Sequence, residues 1–166
     1  MLQVVTGVAY LQKGSGDRKP IIHYDLKPGN ILFDGLGDAK ITDFGLSKIL
    51  EQDDIEMTSM GAGTYWYLPP ECFSRGSRIS GKVDVWSLGV IFYQMLYGRR
   101  PFGHELSQDK IFARGTIGTE ELKFPEDVKV SKEGRGWIEK CLCRDVGMRW
   151  GIEESLECEY WQVKKL

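Results

Sequence analysis

The 166-residue sequence is short of the features that announce metal, membrane or nucleic-acid chemistry. It has two histidines and four cysteines, Cys72, Cys141, Cys143 and Cys158, with no C-x-x-C pair among them. That argues against a zinc site and for a reduced, intracellular setting. Charge of one sign is also lacking. The 22 basic and 24 acidic residues leave a net charge of −2, no footprint for direct contact with nucleic acid or a membrane surface. The longest apolar run, "LGVIFYQMLY" at 88–97, falls far short of the roughly 20 residues a membrane span needs, and the first residues lack the basic-then-apolar pattern of a secretion signal. No internal repeat, low-complexity linker or heptad pattern runs through the chain.

What remains is the composition of one globular domain, long enough to bury a core, with 20 glycines that imply many tight loops. "LQVVTGVAYLQ" at 2–12 has helical periodicity, with Leu2, Val5, Val8, Ala9 and Leu11 near one face, and "KGSGDRKP" ends it. "II" at 21–22 and "ILF" at 31–33 read as short buried strands around a polar loop, "DGLG" at 34–37 as a turn, and "AKIT" at 39–42 as a further strand. Residues 46–70 read as irregular. A helix over 80–97 is apolar nearly all round and belongs in the core, and amphipathic helices follow near 107–114, 131–143 and 152–163. The pair Cys141 and Cys143 reads as helix packing. The expected class is mainly α (α+β), with hardly any sheet.

The chemistry concentrates in "IIHYDLKPGNILF", residues 21–33, where His23, Asp25, Lys27 and Asn30 fall within eight residues. Taken singly, Asp and Asn are ordinary turn-formers and Lys an ordinary surface charge. As a set they match H-x-D-L-K-x-x-N, the catalytic-loop pattern of protein kinases. In order come "DFG" at 43–45, "GTYWYLPPE" at 63–71 (Pro69 where Ala is usual), "DVWSLG" at 84–89 and "CLCRDVGMR" at 141–149. Five ordered motifs over about 130 residues are specific. The wording of "HYDLKPGNILF", "KITDFGLSKI", "GAGTYWYLPPECF" and "KVDVWSLGVIFYQMLYGRRPFG" resembles the Tousled-like kinases, the plant forms especially. The likeness runs over about residues 2–149, with Val146 and Trp150 standing where prolines would be usual.

The resemblance implies roles. Asp25 takes the proton of the substrate hydroxyl, Lys27 steadies the transferred phosphoryl group, and Thr64 touches both, a contact typical of Ser/Thr kinases. ATP and Mg²⁺ are the implied cofactors, with Lys27, Asn30 and Asp43 facing the nucleotide and Asn30 and Asp43 as hard oxygen ligands for the metal. Gly45 permits the backbone turn after Asp43. His23 and Phe44 pack in the fold's internal column, Asp84 accepts backbone N–H groups of the catalytic loop, and Glu71 pairs with Arg149. Tyr24 stands where most kinases have an Arg that reads an activation-loop phosphate, a pairing Tyr cannot make. Thr58 and Ser59 are candidate phosphorylation sites in the loop before Thr64.

The chain carries no G-x-G-x-x-G-x-V loop and no N-lobe lysine. The expectation is therefore one partial kinase domain over 1–166, the C-terminal lobe only. It comprises a catalytic loop at 21–33, an activation segment at 43–71 and a helical subdomain at 80–163, and is inactive by itself. By resemblance the substrates are proteins, histones or histone chaperones, in the nucleus, and the family's coiled-coil oligomerisation segment is not in this chain. Two alternatives stay open. One is a lobe that binds partners through the 107–143 helical face without catalysis. The other is a small-molecule kinase of related fold, which "TYWYLPPE" and the long loop after "DFG" disfavour.

Overall fold

The computed structural model describes residues 1–50, 55–56 and 62–162. Helix α1 (Leu2–Lys13) buries Val4, Val5, Val8 and Ala9 and leaves Leu2 42% exposed, so its inward face is rotated from the one the periodicity predicts. Gly14 stops it at φ 62°, where a side chain would also press a Cβ to 2.8 Å from the Arg18 carbonyl.

Among the described residues the strands are two or three residues long and pair as three separate antiparallel ladders. β1 (Ile21–Ile22) pairs with β4 (Lys48–Ile49), β2 (Ile31–Phe33) with β3 (Ala39–Ile41), and β5 (Ile55–Glu56) with β6 (Arg78–Ile79). The β2–β3 hairpin sets Ile31 opposite Ile41 and Phe33 opposite Ala39. Its turn is built by Asp34, whose carboxylate accepts from the N–H groups of Leu36 and Asp38. Those bonds and Lys40 hold the Asp34 carboxyl below its usual range. Two expectations fail here. The segment 46–70 is not wholly irregular, since β4 and β5 lie in it. And β2 is not buried, since Leu32 and Phe33 are 54% and 72% exposed.

Helix α2 (Lys82–Tyr97) runs through the centre and is buried without interruption from Val83 to Tyr93. A helix polar on no side cannot lie on a surface, and each fully buried Val, Leu or Ile contributes roughly 1.5–3 kcal/mol. Gly98 ends it in the left-handed conformation at φ 68°. Then come α3 (Gln108–Arg114), capped by Ser107, α4 (Thr116–Thr119), α5 (Lys132–Cys141), capped by Ser131, and α6 (Ile152–Glu157), followed by a 3₁₀ turn at Glu159–Trp161. The last two helices are shorter than expected. Cys143 lies beyond α5 and is half-buried, whereas Cys141 is fully buried in it. Gly89 of α2 lets α5 approach closely, because a Cβ there would lie 2.8 Å from the Cys141 Cβ.

The core joins α1, α2, α5 and α6, with Trp86, Phe102 and Trp137 among its largest members. A second cluster of Ile22, Tyr24, Leu68, Cys72, Ile79 and Val83 lies under the polar loop. Among the described residues no helix is long and apolar enough to cross a membrane.

Candidate active site

Everything at the site hangs from α2. Asp84, in its first turn, is fully buried, and its carboxylate accepts from the backbone N–H of His23 and of Tyr24, each at 2.9 Å, and from Gln12 of α1 at 3.1 Å. Burial pushes the Asp84 pKa up and the three donors oppose it. The two backbone bonds fix the loop at the first non-glycine residue with positive φ among the described residues, Tyr24 at φ 70°. A bulky residue does not hold that conformation without support. Here the support is Asp84 on the amide and the second apolar cluster around the ring.

His23 is wholly buried. Its Nε2 donates to the Thr42 carbonyl at 2.9 Å and its Nδ1 accepts from the Asp25 N–H at 3.3 Å, which assigns the ring proton to Nε2. Its ring meets that of Phe44 at 4.9 Å between centroids, tilted by 60°. His23 is therefore a bracket between the loop and the "DFG" turn.

Asp25, Lys27 and Thr64 form a closed triangle. Lys27 Nζ lies 2.7 Å from Asp25 Oδ2 and 3.1 Å from Thr64 Oγ1, and the Thr64 hydroxyl donates to Asp25 Oδ1 at 2.9 Å. Asn30 completes the cage. Its Nδ2 donates to the Asp25 carbonyl at 2.8 Å and to Asp25 Oδ2 at 3.2 Å. A carboxylate held by three side chains has one orientation. Because the Asn30 nitrogen is engaged, its amide oxygen is the atom left for a cation.

Asp43 is brought beside Asn30 by the hairpin. Thr42 donates its N–H and its hydroxyl to the Asn30 carbonyl, at 2.9 and 3.2 Å, so the residue after Thr42 emerges next to Asn30. Asp43 is exposed and takes φ 61°. The left-handed residue is thus Asp43 itself, and Gly45 follows in a turn that the Ser47 N–H closes on the Phe44 carbonyl at 3.1 Å. Gly45 is needed for closeness: its N–H donates to Asp43 Oδ1, and a Cβ there would stand 3.2 Å from that oxygen. The Asn30 amide oxygen and the Asp43 carboxylate are both hard oxygens. They suit Mg²⁺, which takes few protein ligands and keeps waters.

At the far end, Arg149 and Glu71 meet through two bonds of 2.6 and 3.0 Å, with Arg149 also donating to the carbonyls of Cys143 and Lys82. Its guanidinium lies over the Trp86 ring at 4.9 Å. Thr58 and Ser59 lie outside the described residues. Tyr24, in place of a guanidinium, bonds its hydroxyl to the Cys72 thiol and receives the Lys48 ammonium on its ring at 4.8 Å. Burial pushes Cys72 up to about 12.

Four supports were not foreseen: Gln12 on Asp84, Thr42 under His23, Ser47 donating to the His23 carbonyl, and Gln108 accepting from the Tyr65 N–H at 2.8 Å. Gln12 carries no signal in sequence, and Gln108 lies in "SQDKI" at 107–111, a stretch that shares the resemblance without marking this contact. Thr42 stands directly before "DFG" and could have been inferred from the strand it ends.

The family model for the protein kinase domain matches residues 1–161. The chain is 54% identical over 150 residues, covering 86% of it, to the serine/threonine-protein kinase TOUSLED of Arabidopsis thaliana. It is 53% identical over 172 residues, covering 96% of it, to the serine/threonine-protein kinase tousled-like 1 of Homo sapiens. It is 52% identical over 153 residues to tousled-like 1 of Caenorhabditis elegans. The chain spans about a fifth of the length of the first two, 21% and 22%. With the loop hung from Asp84, the Asp25 cage and a match nearly end to end, the chain belongs to the protein kinase domain family.

Proposed function

We propose that these residues are the catalytic lobe of a Tousled-like protein serine/threonine kinase, transferring a phosphoryl group from ATP to Ser or Thr of a protein. The observation that carries the reading is the Asp25–Lys27–Thr64 triangle, with Asn30 locking the same carboxylate. Phosphoryl transfer asks the protein chiefly to position groups and balance charge. Asp25 orients the incoming hydroxyl and takes its proton. Lys27, a compact charge 30% exposed, is placed to move from Asp25 toward a phosphate oxygen. Thr64 ties the substrate-facing segment to the base, so that a substrate seated on 64–67 meets a base already aimed. Mg²⁺, held by Asn30 and Asp43, would offset the charge on the phosphates.

The lobe is half of the machine in this reading. Leu32, Phe33, Phe44 and Leu46 are exposed around the hairpin and the "DFG" turn, a face suited to cover by a second, nucleotide-covering lobe. In this reading these residues transfer phosphate only beneath such a lobe. By the same resemblance the substrates are proposed among histones or histone chaperones, in the nucleus.

The test is Asp25→Asn in a kinase that carries this lobe beneath an N-lobe. Turnover on a protein substrate should fall about 10²–10⁴-fold, with an unchanged unfolding midpoint. Undiminished turnover would remove Asp25 as the base.

A second reading has one observation in its favour. An apolar groove of about 350 Å³, lined by Pro70, Phe73, Ile111, Phe112 and Ile117, opens on the 107–143 face. A lobe acting as a docking or dominant-negative module would bind the full-length kinase or its substrates saturably without transferring phosphate.

A further inference from the structure

On the side of the molecule formed by α5 and α6 lies a cavity of about 450 Å³ that the catalytic reading does not use. Its lining includes Trp137, Trp150 and Tyr160, with Glu133, Glu157 and Glu159 around them. The aromatic wall is held in place by its own packing. Tyr160 meets Trp161 at 4.6 Å between centroids, Trp161 meets Trp137 at 5.6 Å, and Trp137 meets Phe92 at 5.3 Å. The indole N–H groups of Trp137 and Trp161 both donate to the Ser155 carbonyl at 2.8 Å, so these two rings have no polar hydrogen left to offer.

The charge is one-sided. Residues 151–162 contain Glu153, Glu154, Glu157 and Glu159 and no Lys or Arg. Glu154 is occupied, accepting from the Gly151 N–H at 2.6 Å as the cap of α6. Glu157 and Glu159 are exposed, and no ion pair is formed by Glu133, Glu157 or Glu159 among the described residues. Glu133 is held ionised by hydrogen bonds from its own N–H and from Ser131. Lys140 is the one cation in the lining, against three carboxylates.

Aromatic walls with a carboxylate rim match a group that is apolar along its length and cationic at its tip. An anionic ligand would meet three like charges, and a purely apolar one would leave them without a counterion. We propose that this cavity is a docking site for a basic protein segment, seating a Lys or Arg side chain against Trp150 and Tyr160 with its charge at Glu157 and Glu159. The site is separate from the catalytic loop and does not depend on the kinase reading.

The test is direct titration of the whole chain with the fluorescein-labelled peptide GRKLRKG, with GSSLSSG and GEELEEG as controls of equal length. The expected result is saturable one-to-one binding of the basic peptide alone. The affinity should fall about tenfold or more in the double variant Glu157→Gln/Glu159→Gln and in Trp150→Leu. Both changes to glutamine are on exposed residues, so the double variant stays informative if Trp150→Leu fails to fold. A second double variant, Glu121→Gln/Asp127→Asn, removes equal charge elsewhere and should leave the affinity unchanged. Equal weakening in both double variants, or equal binding of GSSLSSG, would overturn the proposal. So would binding seen only after deletion of residues 163–166, since that would assign the cavity to the chain's own Lys164 and Lys165.

Discussion

Arg149 and Glu71 meet through two bonds with the arginine side chain wholly buried, whereas Lys27 and Asp25 meet through one, at 2.7 Å, with the lysine side chain 30% exposed. Both pairs hold the same segment, one at Glu71 and the other through Thr64. The planar guanidinium is fixed by a carboxylate, two carbonyls and an indole face, and has nowhere else to go. The ammonium at the other end is a point charge at the solvent edge, free to trade one partner for another. An anchor and a working charge are thus made from the same two kinds of residue, and burial with planarity decides which is which.

The sharpest way to break the comparison is to remove one partner from each pair. Glu71→Ala leaves a buried guanidinium without its carboxylate, and stability should fall by about 3–5 kcal/mol, read as a lower urea midpoint at unchanged slope. Lys27→Ala removes the partly exposed cation while Thr64 and Asn30 still hold the Asp25 carboxylate, and should cost about 0–1 kcal/mol from the ion pair itself. If the two losses come out equal, burial does not separate the pairs. Exchanging the cations sharpens the point. Arg149→Lys keeps the charge but loses the fork and the contact over Trp86, and should recover less than half of the loss. Lys27→Arg should leave the midpoint nearly unmoved.

Next in size is the packing that seats the anchor. Cys141 and Leu142 stand against Gly89, with no room for a methyl group at 2.8 and 2.9 Å. Gly89→Ala gains helix propensity but forces α5 outward, and the net should be a loss of about 1–3 kcal/mol. A stabilised protein would mean that α5 shifts without strain.

How much of this was readable beforehand differs between the same two regions. The partners of Arg149 and of Asp25 were readable through five ordered motifs, because each of these contacts joins two motif residues. The contacts that hold those residues from outside the motifs were not. Gln12 reaches Asp84 across 72 positions, and nothing local marks it. β1 is the "II" read as a strand, whereas β4, β5 and β6 have two residues each, too few for any alternation to register. Leu32 and Phe33 were read as buried because apolar character says what a residue prefers, not what lies opposite it. The apolar run of α2 was legible because a helix buried on all sides needs no phase. In α1, where the phase matters, the inward face was misplaced toward Leu2.

A loss smaller than that at Gly89 is expected at Tyr24, and it tests how the loop is held without a phosphate-reading arginine. The Tyr24 ring sits in the apolar cluster with Ile22, Leu68 and Val83, and its hydroxyl bonds to the Cys72 thiol. Tyr24→Phe keeps the ring and the Asp84 bond to the amide and removes only the hydroxyl. The loss should be about 0.5–1.5 kcal/mol, that of one buried hydrogen bond. The thiol gives an independent reading. Burial pushes Cys72 up to about 12, and the bond with Tyr24 is the largest influence pulling it down. Little thiolate is therefore present at pH 8, and removing the hydroxyl lowers it further. Labelling of Cys72 by a thiol reagent in the folded protein should be slow in the parent and slower in Tyr24→Phe, while half-buried Cys143 and Cys158 react first in both. Faster labelling of Cys72 in the variant would mean that the cluster has opened, and that the hydroxyl, more than the ring, keeps the catalytic loop in place.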